Sequence, residues 1–146
     1  MIRRKKRKKK STLAKSKGRP SSTYWRRRAD ALWGAIVHHL YPCCAVNDSE
    51  CRGTVEAHHI ISRSHCATRH EIDVGVGLCT LHHKYSKKLS PHQGPVGFAA
   101  WLQVNEPEKW EFVMAHRWKI EKPDYKSAYA RLVATAQRLG LAQEEK

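Results

Sequence analysis

Long apolar runs are missing from this chain: none approaches the about 18 consecutive apolar residues that a membrane-spanning helix requires. The basic run at the amino terminus is not followed by the apolar stretch of a secretion signal, so a soluble, unexported protein is expected. Internal repeats are absent too. With 146 residues and 40% hydrophobic content there is room for one modest domain and no second large core. Acid is missing from residues 1–28, which carry 14 of the 28 Lys and Arg; the rest of the chain sets 14 basic against 13 acidic residues. The net charge of +15 is therefore a property of a tail. Like charges in a block repel and bury too little apolar surface to order, so the tail is expected to be disordered when free. A polyanion would be its natural partner, because each phosphate neutralised by Lys or Arg releases condensed counterions; the alternatives are a solubilising tail or, in a eukaryotic host, a nuclear import signal, and composition does not separate them.

Cysteine is sparse and odd in number: Cys43, Cys44, Cys51, Cys66 and Cys79. Without a secretion signal, metal ligation is favoured over disulfides. Histidine is abundant, ten in all, and several stand beside cysteines.

Helix-start chemistry at residues 20–23 precedes Tyr24, Trp25, Ala29, Leu32, Trp33, Ile36, Val37 and Leu40 at helical spacing, and Pro42 ends that run. Arg26, Arg27 and Arg28 in its first turns extend the basic surface onto the folded body. His38 and His39 are assigned to packing or surface. Residues 54–61 and 74–78 read as two strands able to pair as a hairpin, with a loop at 62–73 between them. Thr80 is placed to cap a following helix that Pro91 closes. The last third reads as three helices, 95–104, 107–119 and 123–139, with Gly140 as terminator. Phe98, Trp101, Leu102, Trp110, Phe112, Val113, Trp118, Tyr125, Tyr129, Leu132 and Val133 supply their core.

Two ligand sets interleave between residues 44 and 83. One is rich in sulfur: Cys44 and Cys51, with six residues between them, and Cys79 and His82, with two residues between them. Four Cys or His ligands supplied as two pairs suit a structural zinc ion, and Cys43 is an alternative to Cys44. The other set is imidazole only: His58, His59 and His83. Neighbours on a strand point to opposite faces, so His58 and His59 cannot share one ion. One is expected to coordinate a metal with His83 while the other takes a proton from water.

The residues Glu56-Ala57-His58-His59-Ile60-Ile61-Ser62-Arg63-Ser64 and Gly77-Leu78-Cys79-Thr80-Leu81-His82-His83, with the knuckle at Cys44 and Cys51, resemble the HNH endonuclease family. The segment 90–101 is similar to its phage-type members, and the resemblance spans about residues 43–101. It implies an α+β fold: a small zinc-bound ββα-metal (treble-clef) module flanked by helices, with the disordered basic N-terminal tail. By position it makes His58 and His83 ligands of a catalytic divalent ion such as Mg2+ or Mn2+, and His59 the general base. The family's middle asparagine is replaced by Val74, beside which Asp73 is a substitute.

The implied activity is metal-dependent DNA hydrolysis, leaving 5′ phosphate and 3′ hydroxyl ends, in a bacterial or phage-infected cytoplasm. Arg63 and Arg69 are candidates to hold the scissile phosphate, and His92 to enter the site or touch DNA; His65 and His70 rank below them. Residues 1–20 form the tail, 21–104 the nuclease module with its preceding and following helix, and 105–146 a C-terminal helical extension. The alternative is a non-catalytic zinc-containing nucleic-acid-binding protein.

Overall fold

Ser21 opens the folded body: its Oγ accepts the Tyr24 N–H at 3.2 Å and starts helix α1, Ser22–Leu40. The computed structural model describes residues 20–141, so all of the expected tail except Pro20 lies outside it. Ala29, Trp33, Ile36 and Val37 recur along one side of α1 and are buried, as an amphipathic helix requires. Strand β1, Val55–His59, pairs antiparallel with β2, Gly75–Cys79, and Glu56 stands opposite Leu78 and His58 opposite Val76. Helices α2, Pro95–Asn105, α3, Pro107–His116, and α4, Tyr125–Arg138, follow. Pro95 and Pro107 each sit in the first turn of their helix, where the missing N–H leaves no intrahelical bond unmade. The result is a small α+β fold with a two-stranded sheet, and no described helix is long and apolar enough to cross a membrane.

The sheet is covered by close packing. All five residues of β2 are buried, and a Cβ on Gly77 would overlap the Cβ of Tyr41, so the chain leaving α1 lies directly on the strand. One apolar cluster joins α1 to Val74, Val113, Leu132 and Ala136. It thus includes α3 and α4, and the residues beyond 104 share the core of those before it. A second cluster gathers Cys44, Val76, Leu78, Cys79 and Phe98 around the knuckle.

Three expectations are corrected. Thr80 has helical backbone angles and makes no cap; its hydroxyl donates to the Thr54 carbonyl at 3.3 Å. The helix after it is one π turn, Leu81–Tyr85, closed by the Ser86 N–H on the Leu81 carbonyl at 2.9 Å. It stops at Ser86, whose backbone is extended and whose Oγ accepts the Leu89 N–H at 3.1 Å. Trp118, expected in the core, is 77% exposed: α3 ends at His116, and the Arg117 guanidinium lies 5.2 Å from the Trp118 ring centroid.

The loop at 62–73 is tied to α1. Arg69 makes two hydrogen bonds of 2.7 Å to the Asp30 carboxylate, His70 Nε2 lies 2.8 Å from the same carboxylate, and Trp33 Nε1 donates to the Glu71 carbonyl at 2.9 Å. Val74, where the resemblance wants asparagine, is fully buried in the core, and Asp73 is exposed. Asp30 on α1 thus does the work of steadying this loop. Burial pushes the Asp30 carboxyl up, but hydrogen bonds from Arg69 and His70 outweigh it and hold it below the usual range. Burial likewise depresses the His70 imidazole, against the pull of Asp30, so His70 is neutral and donates to an ionised carboxylate.

Both shifts are downward, so each contributes stability that is present above its unfolded pKa and lost as pH falls towards the folded one. The melting temperature is expected to fall as pH drops below about 6.5, where an unfolded histidine begins to charge. His70→Gln, which keeps a donor for Asp30, should flatten that fall, and identical profiles would remove His70 from the account. Gly77→Ala should lower stability by about 1–3 kcal/mol through overpacking, read from the urea midpoint; an unchanged midpoint would contradict the packing of Tyr41 on β2.

Candidate metal centres

The π turn places His82 and His83 side by side and turns them to different neighbours. His82 is fully buried, and its Nδ1 lies 3.6 Å from Cys44 Sγ, 3.6 Å from Cys51 Sγ and 3.4 Å from Cys79 Sγ. The four ligand atoms all fall within 4.8 Å of one another. Zinc bonds of about 2.3 Å to sulfur and about 2.0 Å to nitrogen, at a tetrahedral angle, separate S from N by about 3.6 Å. The cluster therefore fits a zinc ion, with Cys44 rather than the exposed Cys43 as its first ligand.

Electrostatics agree with the spacing. Burial pushes the Cys51 thiol up to about 12, and the neighbouring cysteines add to it. Burial also raises Cys79, but the N–H groups of His82 and Arg52 and the His82 ring outweigh it and bring that thiol down to about 7. The Cys79 thiolate forms readily and Cys51 resists, a conflict that a cation at the centre of the four would relieve. His82 Nε2 is buried without a hydrogen bond, and the carboxylate of Asp48 is 3.4 Å away. A carboxylate there is the outer partner that fixes a ligating imidazole with Nδ1 towards the metal.

The imidazole set lies against the hairpin. His58 Nδ1 and His83 Nε2 are 3.0 Å apart, within the about 3.0 to 3.4 Å expected of two nitrogens on one divalent ion. His92 joins them, with ligand atoms of all three within 4.8 Å of one another. Burial, reinforced by His83, His92 and His59, holds the His58 imidazole down at about 3, so it presents a lone pair at neutral pH. On the far side of His83, Nδ1 lies 2.6 Å from Glu56 Oε2 and thus carries the proton, leaving Nε2 free to ligate. A hydrogen bond from Lys84, then one from His83, holds the Glu56 carboxyl below its usual range.

His59 stands outside this cluster. Its ring stacks on Trp33 at 3.6 Å between centroids, and Nε2 bonds the Arg69 carbonyl at 2.9 Å. That bond makes Nε2 the protonated nitrogen and leaves the Nδ1 lone pair as the acceptor. Burial lowers its pKa despite the carbonyl, so the ring is neutral.

The structure gives other work to Arg69, a candidate to hold phosphate, and to Arg28, expected on the basic surface. Arg69 is committed to Asp30 and to the Arg63 carbonyl, and Arg28 bridges the hydroxyls of Tyr24 and Tyr129 between α1 and α4. Arg27 and Arg63 are exposed and Arg26 half-buried, while His38 and His39 lie on the surface. His70 is structural, as above. Cys66 is exposed, near Tyr125.

Asp48, Glu56 and the full part of His92 were missed from sequence. Glu56 had a signal, since it is two residues before His58 on the same strand and so shares its face. His92 had none in its spacing, because the turns after Tyr85 follow no regular period. Comparison with protein-family models, with curated proteins and with solved structures finds no match for this chain.

Zinc bound here is expected at about one ion per chain, and its binding can contribute on the order of 10 kcal/mol to folding. Cys79→Ser should therefore lose the zinc in metal analysis and the cooperative thermal transition in circular dichroism. Zinc-free protein with an unaltered transition would contradict the assignment.

Proposed function

We propose that this chain is a metal-dependent DNA endonuclease of the HNH type, in which a zinc-held ββα (treble-clef) module presents His58, His83 and His92 to a second divalent ion. The observation that carries the reading is the pair of imidazole nitrogens 3.0 Å apart, with Glu56 fixing the proton of one and His92 completing the set. A purely structural pair of histidines has no need of all three. A divalent ion there would supply Lewis-acid charge to the phosphate and the leaving oxygen. Neutral His59, its tautomer set by the Arg69 carbonyl, takes the proton from the attacking water at Nδ1. Trp33 and the carbonyl hold the ring still while it does so.

Three imidazole ligands favour borderline transition ions over Mg2+, which prefers oxygen ligands. Of the two ions expected from sequence, Mn2+ is the better fit. DNA is the substrate that the basic tail suits, with Arg26, Arg27 and Arg63 as further cations on the folded body. One observation favours the alternative of a non-catalytic zinc protein: His59 is packed against Trp33 as a structural histidine would be.

A cleavage assay on plasmid DNA separates the two. Wild type should nick DNA with Mn2+, Co2+ or Ni2+ and poorly with Mg2+. His59→Gln, which keeps a donor for the Arg69 carbonyl, should bind DNA normally and cut at least about 100-fold more slowly, the scale of general-base catalysis. A His59→Gln variant as active as wild type removes the base, and no cleavage with any ion leaves the binding module.

A further inference from the structure

The third histidine of the cluster is carried by no helix or strand, yet it lies beside two that are. Between the π turn and α2 the chain makes successive turns, and His92 is exposed at their end. Ser90 in that segment is completely buried. Its Oγ donates to the His83 carbonyl at 2.8 Å and accepts the N–H groups of His92 at 3.1 Å and Gln93 at 3.3 Å. A hydroxyl has one donor and two acceptor sites, and all three are used. The bonded partners are the backbones of two of the three clustered histidines.

The surroundings leave this segment little freedom. The Ser90 N–H donates to the Ser86 carbonyl at 3.1 Å, and its own carbonyl accepts the Gly94 N–H at 2.8 Å. A Cβ on Gly97 would overlap the Lys88 carbonyl oxygen, so α2 seats directly on the backbone of the turn. From that seat Phe98 reaches the His58 ring, edge to face at 6.1 Å.

We propose that Ser90 is the positioning residue of the three-histidine site: its hydroxyl fixes the His92 backbone against that of His83, delivering the third imidazole to the ion. The inference rests on reading the three histidines as a metal site. His83 is oriented independently by Glu56, so the hydroxyl acts chiefly through His92.

The test is calorimetric titration of Co2+ into full-length, zinc-loaded protein, for wild type, Ser90→Ala, His92→Ala and the double variant. Absence of thiolate-to-cobalt charge-transfer bands verifies that cobalt leaves the sulfur site alone. Ser90→Ala should weaken cobalt binding about 10- to 100-fold, the scale on which outer partners of metal ligands act. In the His92→Ala background the same change should have little further effect. Ser90→Cys, similar in size and a weaker hydrogen-bonding group, should give an intermediate loss and serves if Ser90→Ala does not fold. Wild-type affinity in the serine variants, or an undiminished loss in the absence of His92, overturns the positioning role. A wild type that binds no cobalt beyond its zinc overturns the histidine site itself, and the inference with it.

Discussion

Three cysteine sulfurs packed around one imidazole nitrogen form the constraint on which the rest of this structure turns. The four ligand atoms lie within 4.8 Å of one another in an apolar cluster with Val76, Leu78 and Phe98. Burial holds the Cys51 thiol up while Cys79 is brought down, and a zinc ion among the four would remove the conflict. Bound there, it would also join the knuckle at Cys44 and Cys51 to the end of β2 and to the π turn. A chain this short gains limited stability from its apolar core alone. The direction in which His82 faces the sulfurs sets the direction in which His83 faces the hairpin. Structural and candidate catalytic centres are thus adjacent residues of one turn.

The second constraint is the bond between α1 and the loop that follows β1. Asp30 draws in Arg69 and His70, Trp33 holds Glu71, and the same Trp33 supports His59. The Arg69 residue whose side chain binds Asp30 gives its carbonyl to His59. The helix before the module therefore reaches the proposed general base through two routes, one aromatic and one ionic. This explains how Val74 can occupy a core position where the resemblance wants asparagine, since the loop is steadied from α1.

Much of this was legible in the residues themselves. Prolines and caps mark helices because they act locally: Ser21 caps α1, and Pro95 and Pro107 open α2 and α3 as expected, whereas α4 starts at Tyr125 behind an Asp124 cap, two residues later than the proline-based expectation. The clustering of Cys44, Cys51, Cys79 and His82 could be anticipated because paired Cys and His spacing is what a metal site requires. What was not legible depends on tertiary competition. Arg69 and Arg28 look like free cations until Asp30 and two tyrosine hydroxyls are brought against them. The helix after β2 is cut short at Ser86, and His92 reaches its neighbours through turns without period. Trp118 follows an apolar pattern beyond the point where α3 ends, and so reaches solvent.

The turn that carries His82 and His83 joins the Cys/His cluster to the proposed chemistry, so the coordination sphere of a zinc ion there is the place to test it. X-ray absorption at the zinc edge of the purified protein should show three sulfur neighbours at about 2.3 Å and one nitrogen at about 2.0 Å. A sphere of nitrogen and oxygen only, or protein isolated without zinc and with its cysteines oxidised, would contradict the account.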